Sequence, residues 1–179
     1  MAELCVLNVI IKLPTKKGCG NMRRKFAEKL LREAKNNHKI WLVTADLGYG
    51  LWNEFEEQLP ERFLNTGASE QAASDICVGL ALEGHIPFFY SITTFLLYRS
   101  FETLRTYINH EKLNVKLVAS GRDKDYEIDG ISHWSEDAKY FLDGLPNIHQ
   151  IWPETEEDIP DIVENILACK SPDFVSLHR

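Results

Sequence analysis

A three-layer α/β/α fold with a mostly parallel sheet follows from three features of this 179-residue sequence. Helical and strand-like periods alternate along the chain. Amphipathic stretches of helix length separate short runs rich in Val, Ile and Leu. Those runs are apolar nearly throughout instead of alternating with polar residues. A strand that is apolar on both faces must be covered on both, which is the condition of a parallel sheet held between two helical layers.

Each element has its own signal. Residues 1–21 form an arm: an apolar run at 6–13, then Pro14, two lysines and Gly18-Cys19-Gly20-Asn21, read as a strand-like appendage and a linker. The folded domain is expected over 22–179. Its first helix, 23–37, carries Phe26, Leu30, Leu31 and Ala34 on one stripe. A strand at 39–44 precedes a short helix at 51–58, which Pro60 stops, and a short strand at 62–65. The helix at 69–82 is rich in small residues, which lets it sit close to a sheet, and Gly84 ends it. A strand at 86–90, an amphipathic helix at 94–109 and a strand at 115–119 follow. After a polar loop through Trp134 come a helix at 136–142 and a strand at 148–152. The last helix ends at Cys169, with Pro160 in its first turn, and 174–177 is the closing strand.

Composition narrows the function. Apolar residues make up 44% and charged residues 26%, which excludes a disordered chain. A net charge of −7 argues against a nucleic-acid or anionic-membrane partner. No apolar run approaches the ~20 residues that a membrane span needs, and 6–11 is too short and lacks the basic flank of a signal peptide. Cys5, Cys19, Cys77 and Cys169 make no C-x-x-C, so the thiols point to a reducing compartment, the cytoplasm. Several familiar signatures fail as well. Gly48-Tyr49-Gly50 starts a dinucleotide fingerprint, but its third glycine would fall at Asn53. There is no P-loop and no nucleophile elbow, and the six histidines never stand at metal-ligand spacing, so no metal site is assigned to the chain.

Ligands of such a sheet bind beyond the carboxyl ends of its strands, which directs attention to the turns at 46–50, 66–71, 91–95 and 120–134. Gly67-Ala68-Ser69-Glu70-Gln71 sets a carboxylate at the mouth of a largely apolar helix. One reading is a first-turn glutamate favoured by the helix dipole, with Ser69 or Thr66 as cap; the other is a ligand-facing acid. Phe95, Tyr98 and Phe101 fall at i, i+3 and i+6, either as a core stripe or as an aromatic wall. If both turns face one pocket, it suits a flat heteroaromatic ring with a basic nitrogen.

At this point the sequence resembles a known family. Residues 67–71, 80–87 (LALEGHIP), 94–105 and Asp129-Gly130-Ile131-Ser132-His133 are similar to the pyrimidine-binding domain of transketolase and to the matching domain of 1-deoxyxylulose-5-phosphate synthase, over about 23–179. The resemblance implies the pyrimidine-domain type of the thiamine-diphosphate-binding fold. It makes Glu70 the carboxyl group that shares a proton with the aminopyrimidine and so activates the cofactor. It sets Phe95, Tyr98 and Phe101 against the pyrimidine and Asp46 near the cofactor, although Asp46 reads equally well as a turn former. It also implies that Asp129 binds a donor hydroxyl, that His133 contacts substrate oxygen at the reacting carbons, and that Arg23 and Arg179 bind the phosphate of a sugar substrate.

The departures carry information too. Gly121 stands where transketolase has a phosphate-binding histidine, with Arg122 beside it as a candidate substitute. Gly50 replaces a serine, and Ile128 replaces the glutamate before Asp129. These departures count against a phosphorylated ketose and leave open a different sugar, a nucleotide-linked one included. The chain has no Gly-Asp-Gly motif, and Leu142-Asp143-Gly144 does not fit one. The resemblance thus implies a partner chain that supplies the Gly-Asp-Gly pyrophosphate domain and holds most of the contacts to Mg²⁺ (or Ca²⁺), in an α₂β₂ assembly that transfers a two-carbon ketol unit between sugars. A non-catalytic, partner-binding or regulatory relic of such a domain is the alternative, and a flavodoxin-like domain for another cofactor is a third reading.

Overall fold

In the computed structural model, residues 21–179 are described; the arm expected at 1–21 lies outside them apart from Asn21. Along the chain run α1 (Met22–Asn36), β1 (Ile40–Thr44), α2 (Asn53–Gln58), β2 (Phe63–Asn65), α3 (Glu70–Leu82) and β3 (Ile86–Ile92). A helical segment in three pieces follows: π-helical Phe95–Arg99, α4 (Phe101–Thr103) and π-helical Leu104–Asn109. Then come β4 (Lys116–Ser120), α5 (Ala138–Asp143), β5 (His149–Ile151), α6 (Ile159–Ala168) and β6 (Asp173–Leu177). The six strands form one sheet in the order β2-β1-β3-β4-β6-β5, and every described pairing is parallel.

The near-continuous apolar runs are explained by where neighbouring residues point. Leu42, Phe88, Val118 and Val175 face the layer made by α1, α2 and α6, where Phe26, Leu30, Phe55 and Val163 pack. Their chain neighbours Val43, Phe89, Leu117 and Phe174 face the opposite layer, against Ala73 and Cys77 of α3, Leu96, Leu104 and Leu142 of α5. Successive strand side chains point to opposite faces, so a strand covered on both sides needs apolar residues at every step. Each fully buried Phe or Leu here contributes roughly 1.5–3 kcal/mol. Polar residues close the ends: the Arg62 guanidinium donates to the carbonyls of Ala34 at 2.8 Å and Asn37 at 3.0 Å, satisfying the C-terminus of α1. Gly84 takes φ +82° just past α3, as a helix-ending glycine does.

Two features of this architecture position the site. The chain leaves β1 toward β2 at the sheet edge, whereas β3 lies on the other side of β1 and continues toward β4. The connections after β1 and β3 therefore diverge into opposite helical layers and leave a crevice at the carboxyl edge. The second feature departs from expectation. Residues 94–109 do not form one regular helix. Ser100 interrupts it, with its hydroxyl donating to the carbonyl of Glu70 at 3.0 Å, and the turns on either side are π-helical. Such wide turns recur at functional sites.

Candidate functional site

Glu70 opens α3 directly after the β2 exit, where Gly67 turns the chain at φ +69°. It is only 2% exposed. The Ser69 side chain makes no capping bond, and the Thr66 hydroxyl donates to backbone carbonyls, so the capped-helix reading of this turn does not hold. The carboxylate instead points across the carboxyl edge. Oε1 accepts from Ser91 Oγ on β3 at 3.3 Å, and Oε2 accepts from Arg99 Nη1 at 2.7 Å. An ionised carboxylate buried to this degree costs several kcal/mol unless it is paired, and Arg99 supplies the pairing.

Arg99 does a second thing. Its guanidinium carbon lies 3.8 Å from the centroid of the Phe95 ring, so the flat cation stacks on the aromatic face while it holds Glu70. His133 meets the same ring edge-on, with centroids 4.8 Å apart. The loop carrying His133 is tied down because Thr94 Oγ1 donates to the Ser132 carbonyl at 2.6 Å. Glu70, Arg99, Phe95 and His133 thus form one continuous chain of contacts, although they come from three separate turns of the sequence.

The aromatic trio does not stay together. Tyr98 and Phe101 both turn their rings onto Phe141 of α5, each at 5.1 Å, and the Tyr98 hydroxyl donates to Asp137 at 2.6 Å. Burial, reinforced by that carboxylate, pushes the Tyr98 phenol up. Of the expected wall, Phe95 alone contacts the Glu70 cluster. A π-helical turn takes more residues than an α-helical one, so side chains three apart rotate off a common face.

The remaining candidates spread around the edge. Asp46 sits in a left-handed turn at φ +50°; its N–H donates to Asn65 Oδ1 at 3.0 Å and its carboxylate accepts from the Tyr49 hydroxyl at 2.8 Å, which raises the Tyr49 phenol. These are the contacts of a turn former. Asp129 is exposed on a short 3₁₀ turn, with Gly130 and the turn carrying His133 after it. Arg23, in the first turn of α1, lies beside the Tyr90 hydroxyl. Burial raises that phenol, and Ser120 and Arg23 oppose it. Arg179 lies over the Tyr126 ring at 4.8 Å, and its backbone is fixed by an N–H bond to Asp125 at 3.0 Å. Burial pushes the Asp125 carboxyl up, but bonds from His178 and from the N–H groups of Arg122 and Arg179 outweigh it and hold the group below the usual range.

Two residues that sequence reasoning missed organise this region. Arg99 is one; Tyr126 is the other, its hydroxyl paired with Ser120 at 2.9 Å and its ring 5.9 Å from that of His133. Tyr126 also explains Gly121. A Cβ there would come within 2.2 Å of the Tyr126 ring, and φ is +87°. The position at which the resemblance places a histidine is filled by the tyrosine. Arg122 is no substitute, since its guanidinium is buried and donates to the carbonyls of Ser176 at 2.6 Å and Pro153 at 2.9 Å. Among the described residues, no three His, Cys, Asp or Glu side chains gather as a metal site, and no helix is long and apolar enough to cross a membrane.

Comparison with known proteins decides the family. Residues 20–179 match the transketolase pyrimidine-binding domain. The chain belongs to this family. The transketolase domain is similar to a Methanocaldococcus jannaschii protein assigned as a transketolase C-terminal section, 31% identical over 159 residues that cover 88% of this chain and 50% of that one. It is 32% identical to a Clostridium perfringens 1-deoxy-D-xylulose-5-phosphate synthase over 146 residues, 80% of this chain but 23% of the synthase. Among solved structures it resembles a split-gene transketolase described as an inactive β₄ tetramer, with a TM-score of 0.78, 29% identity and coverage of 88% of this chain and 51% of the other. The chain therefore spans about half of the length of two of these relatives and about a quarter of the third.

Proposed function

We propose that this chain is the pyrimidine-domain subunit of a two-chain, thiamine-diphosphate-dependent, transketolase-like enzyme of the cytoplasm that transfers a two-carbon ketol unit between sugars. The observation that carries the reading is the Glu70–Phe95 pair. A buried carboxylate and an aromatic face already hold a flat, nitrogen-bearing cation between them, the Arg99 guanidinium. An aminopyrimidine makes the same two demands, a stacking surface and a carboxyl partner for a ring nitrogen, so these residues fit the ring. When bound, thiamine diphosphate supplies the carbon nucleophile and electron sink for breaking and making a carbon–carbon bond next to a carbonyl.

The chain's own residues divide the remaining work. Glu70 holds and exchanges a proton at the ring nitrogen, and Ser91 fixes its other oxygen. Phe95 orients the ring, and Tyr98 and Phe101 brace the helix that carries it against α5. His133, in contact with Phe95, faces the substrate side with Asp129 and orients the donor oxygens. Arg23, beside the Tyr90 hydroxyl, and Arg179, over the Tyr126 ring, suit the phosphate or distal hydroxyls of a sugar. Asp46 supports the turn beside the ring end of the site.

The apolar surface that the domain leaves uncovered supports a partner chain. Ile76 and Leu82 on α3, and Phe101 and Tyr107 on the neighbouring wide helix, remain exposed. Such a group of apolar side chains fits a subunit interface. The half-length match to a transketolase C-terminal section fits a second chain that carries the pyrophosphate domain and Mg²⁺ or Ca²⁺, assembled as α₂β₂. The test is affinity capture of the tagged chain from its own cells, followed by assay of the captured complex for thiamine-diphosphate-dependent ketol transfer. The expected result is a stoichiometric partner with a Gly-Asp-Gly motif and activity that Glu70→Gln abolishes. Capture of an active complex that is indifferent to Glu70→Gln, or of no such partner, would support the non-catalytic relic instead.

A further inference from the structure

Arg99 competes with the proposed ring for its cradle. The guanidinium stacks on Phe95 at 3.8 Å and bonds Glu70 at 2.7 Å, so it occupies both of the surfaces that the proposed ring needs. The two cannot be filled at once: a ring lying on the same face of Phe95, in hydrogen-bond reach of Glu70 Oε2, meets the guanidinium. The geometry points to Arg99 as a built-in occupant of the ring cradle, which leaves the face of Phe95 when the aminopyrimidine enters. This inference rests on the reading that the ring binds at Glu70 and Phe95.

Three observations make Arg99 movable while its partners stay. Its side chain is 47% exposed whereas that of Glu70 is 2% exposed, so a path to solvent exists for the cation and none for the acid. Glu70 keeps the Ser91 hydroxyl and the Ser100 bond to its backbone whatever Arg99 does, so the carboxylate remains aimed. Arg99 is also the last residue of a π-helical stretch that ends at the Ser100 break, rather than part of a regular helix. The occupant has a physical purpose, because without a ligand the buried carboxylate would otherwise be left with a single hydroxyl donor. The entering ring nitrogen replaces the guanidinium as the partner of Glu70 while the released guanidinium, already half in solvent, is hydrated, so the exchange costs ligand binding only a modest factor.

The test uses the full chain and thiamine diphosphate as probe. In the free protein, the Arg99 side-chain protons should show an upfield ring-current shift by NMR that disappears in Phe95→Leu. On titration with thiamine diphosphate they should return toward the values of a solvated arginine. Arg99→Met, its fold checked by circular dichroism, should bind thiamine diphosphate about fivefold more tightly than wild type, with Arg99→Lys between them. Two results overturn the inference and leave the site reading standing: no ring-current shift in the free chain, or wild type binding as tightly as Arg99→Met or more tightly. Failure of every variant to bind thiamine diphosphate with Mg²⁺ in the captured two-chain complex, as well as in the free chain, overturns the site reading and the inference together.

Discussion

Two ion pairs, each with a buried acid, sit at opposite edges of the same sheet, and they differ in what surrounds the cation. At the amino edge, Lys116 opens β4 and Asp173 opens β6 as paired neighbours. Lys116 is fully buried; its ammonium donates to Asp173 at 2.6 Å and to the carbonyls of Ser171 at 2.7 Å and Cys169 at 3.1 Å. All three ammonium hydrogens have acceptors, and the pair is sealed. Burial lowers the lysine and raises the aspartate, each opposed by the other's charge. At the carboxyl edge, Glu70 is equally buried but its cation is half in solvent. The first pair can only hold the fold; the second can open. That contrast separates a structural use of charge from a ligand-binding one within a single domain, where ion-pair distance alone would not.

Substitution at each pair sharpens the contrast. Lys116→Met leaves Asp173 buried with its main partner gone and should lower unfolding free energy by about 3–5 kcal/mol, read by urea denaturation. Arg99→Met should lower it by less, about 1–2 kcal/mol, because the departing cation stood half in solvent and leaves an opening through which water reaches Glu70. Equal losses at the two sites would erase the distinction. Gly121→Ala comes next, since the new Cβ drives into the Tyr126 ring at a left-handed backbone angle. A loss of about 1–3 kcal/mol is expected, with shifted His133 and Arg179 resonances. Removing the Tyr126 hydroxyl by Tyr126→Phe costs only the Ser120 bond, about 1 kcal/mol, and should leave those resonances in place.

The smallest effect is in the pH dependence of the carboxyl edge. The folded Asp125 carboxyl lies below its ordinary range, so its bonds stabilise the folded chain above about pH 4 and that contribution is lost as pH falls through the folded value. Thermal unfolding followed from pH 6 to pH 3 should therefore show an acid-induced loss in wild type that is smaller in Asp125→Asn. An unchanged slope would remove Asp125 as the anchor of Arg122, His178 and Arg179.

The fold was legible because its four inner strands, β1, β3, β4 and β6, each face two layers. Runs such as 39–44 and 115–119 are apolar at nearly every step, and only a doubly covered parallel strand asks for that. Glu70 was legible as well, as an acid placed at the mouth of an apolar helix at the carboxyl edge. Arg99 was not. Its role depends on a contact with Glu70, 29 residues away, and on a helix whose wide turns leave no mark in a hydrophobic pattern so short. The same widening parts Tyr98 and Phe101 from Phe95, which an α-helical spacing would have kept on neighbouring faces. Tyr126 left one trace, a glycine directly after a strand at Gly121. Its meaning appears only when the tyrosine ring is found lying over it.

The central claim is that the buried carboxylate of Glu70 receives the cofactor ring. It is tested most directly by titrating thiamine diphosphate with Mg²⁺ into the captured two-chain complex, wild type against Glu70→Gln, and reading binding by calorimetry. Saturable binding to wild type that weakens at least about tenfold in Glu70→Gln, with the fold intact, is the predicted result. Equal affinity in the two proteins would contradict it, since the carboxylate that the fold buries and aims across the carboxyl edge would then have no part in holding the ring.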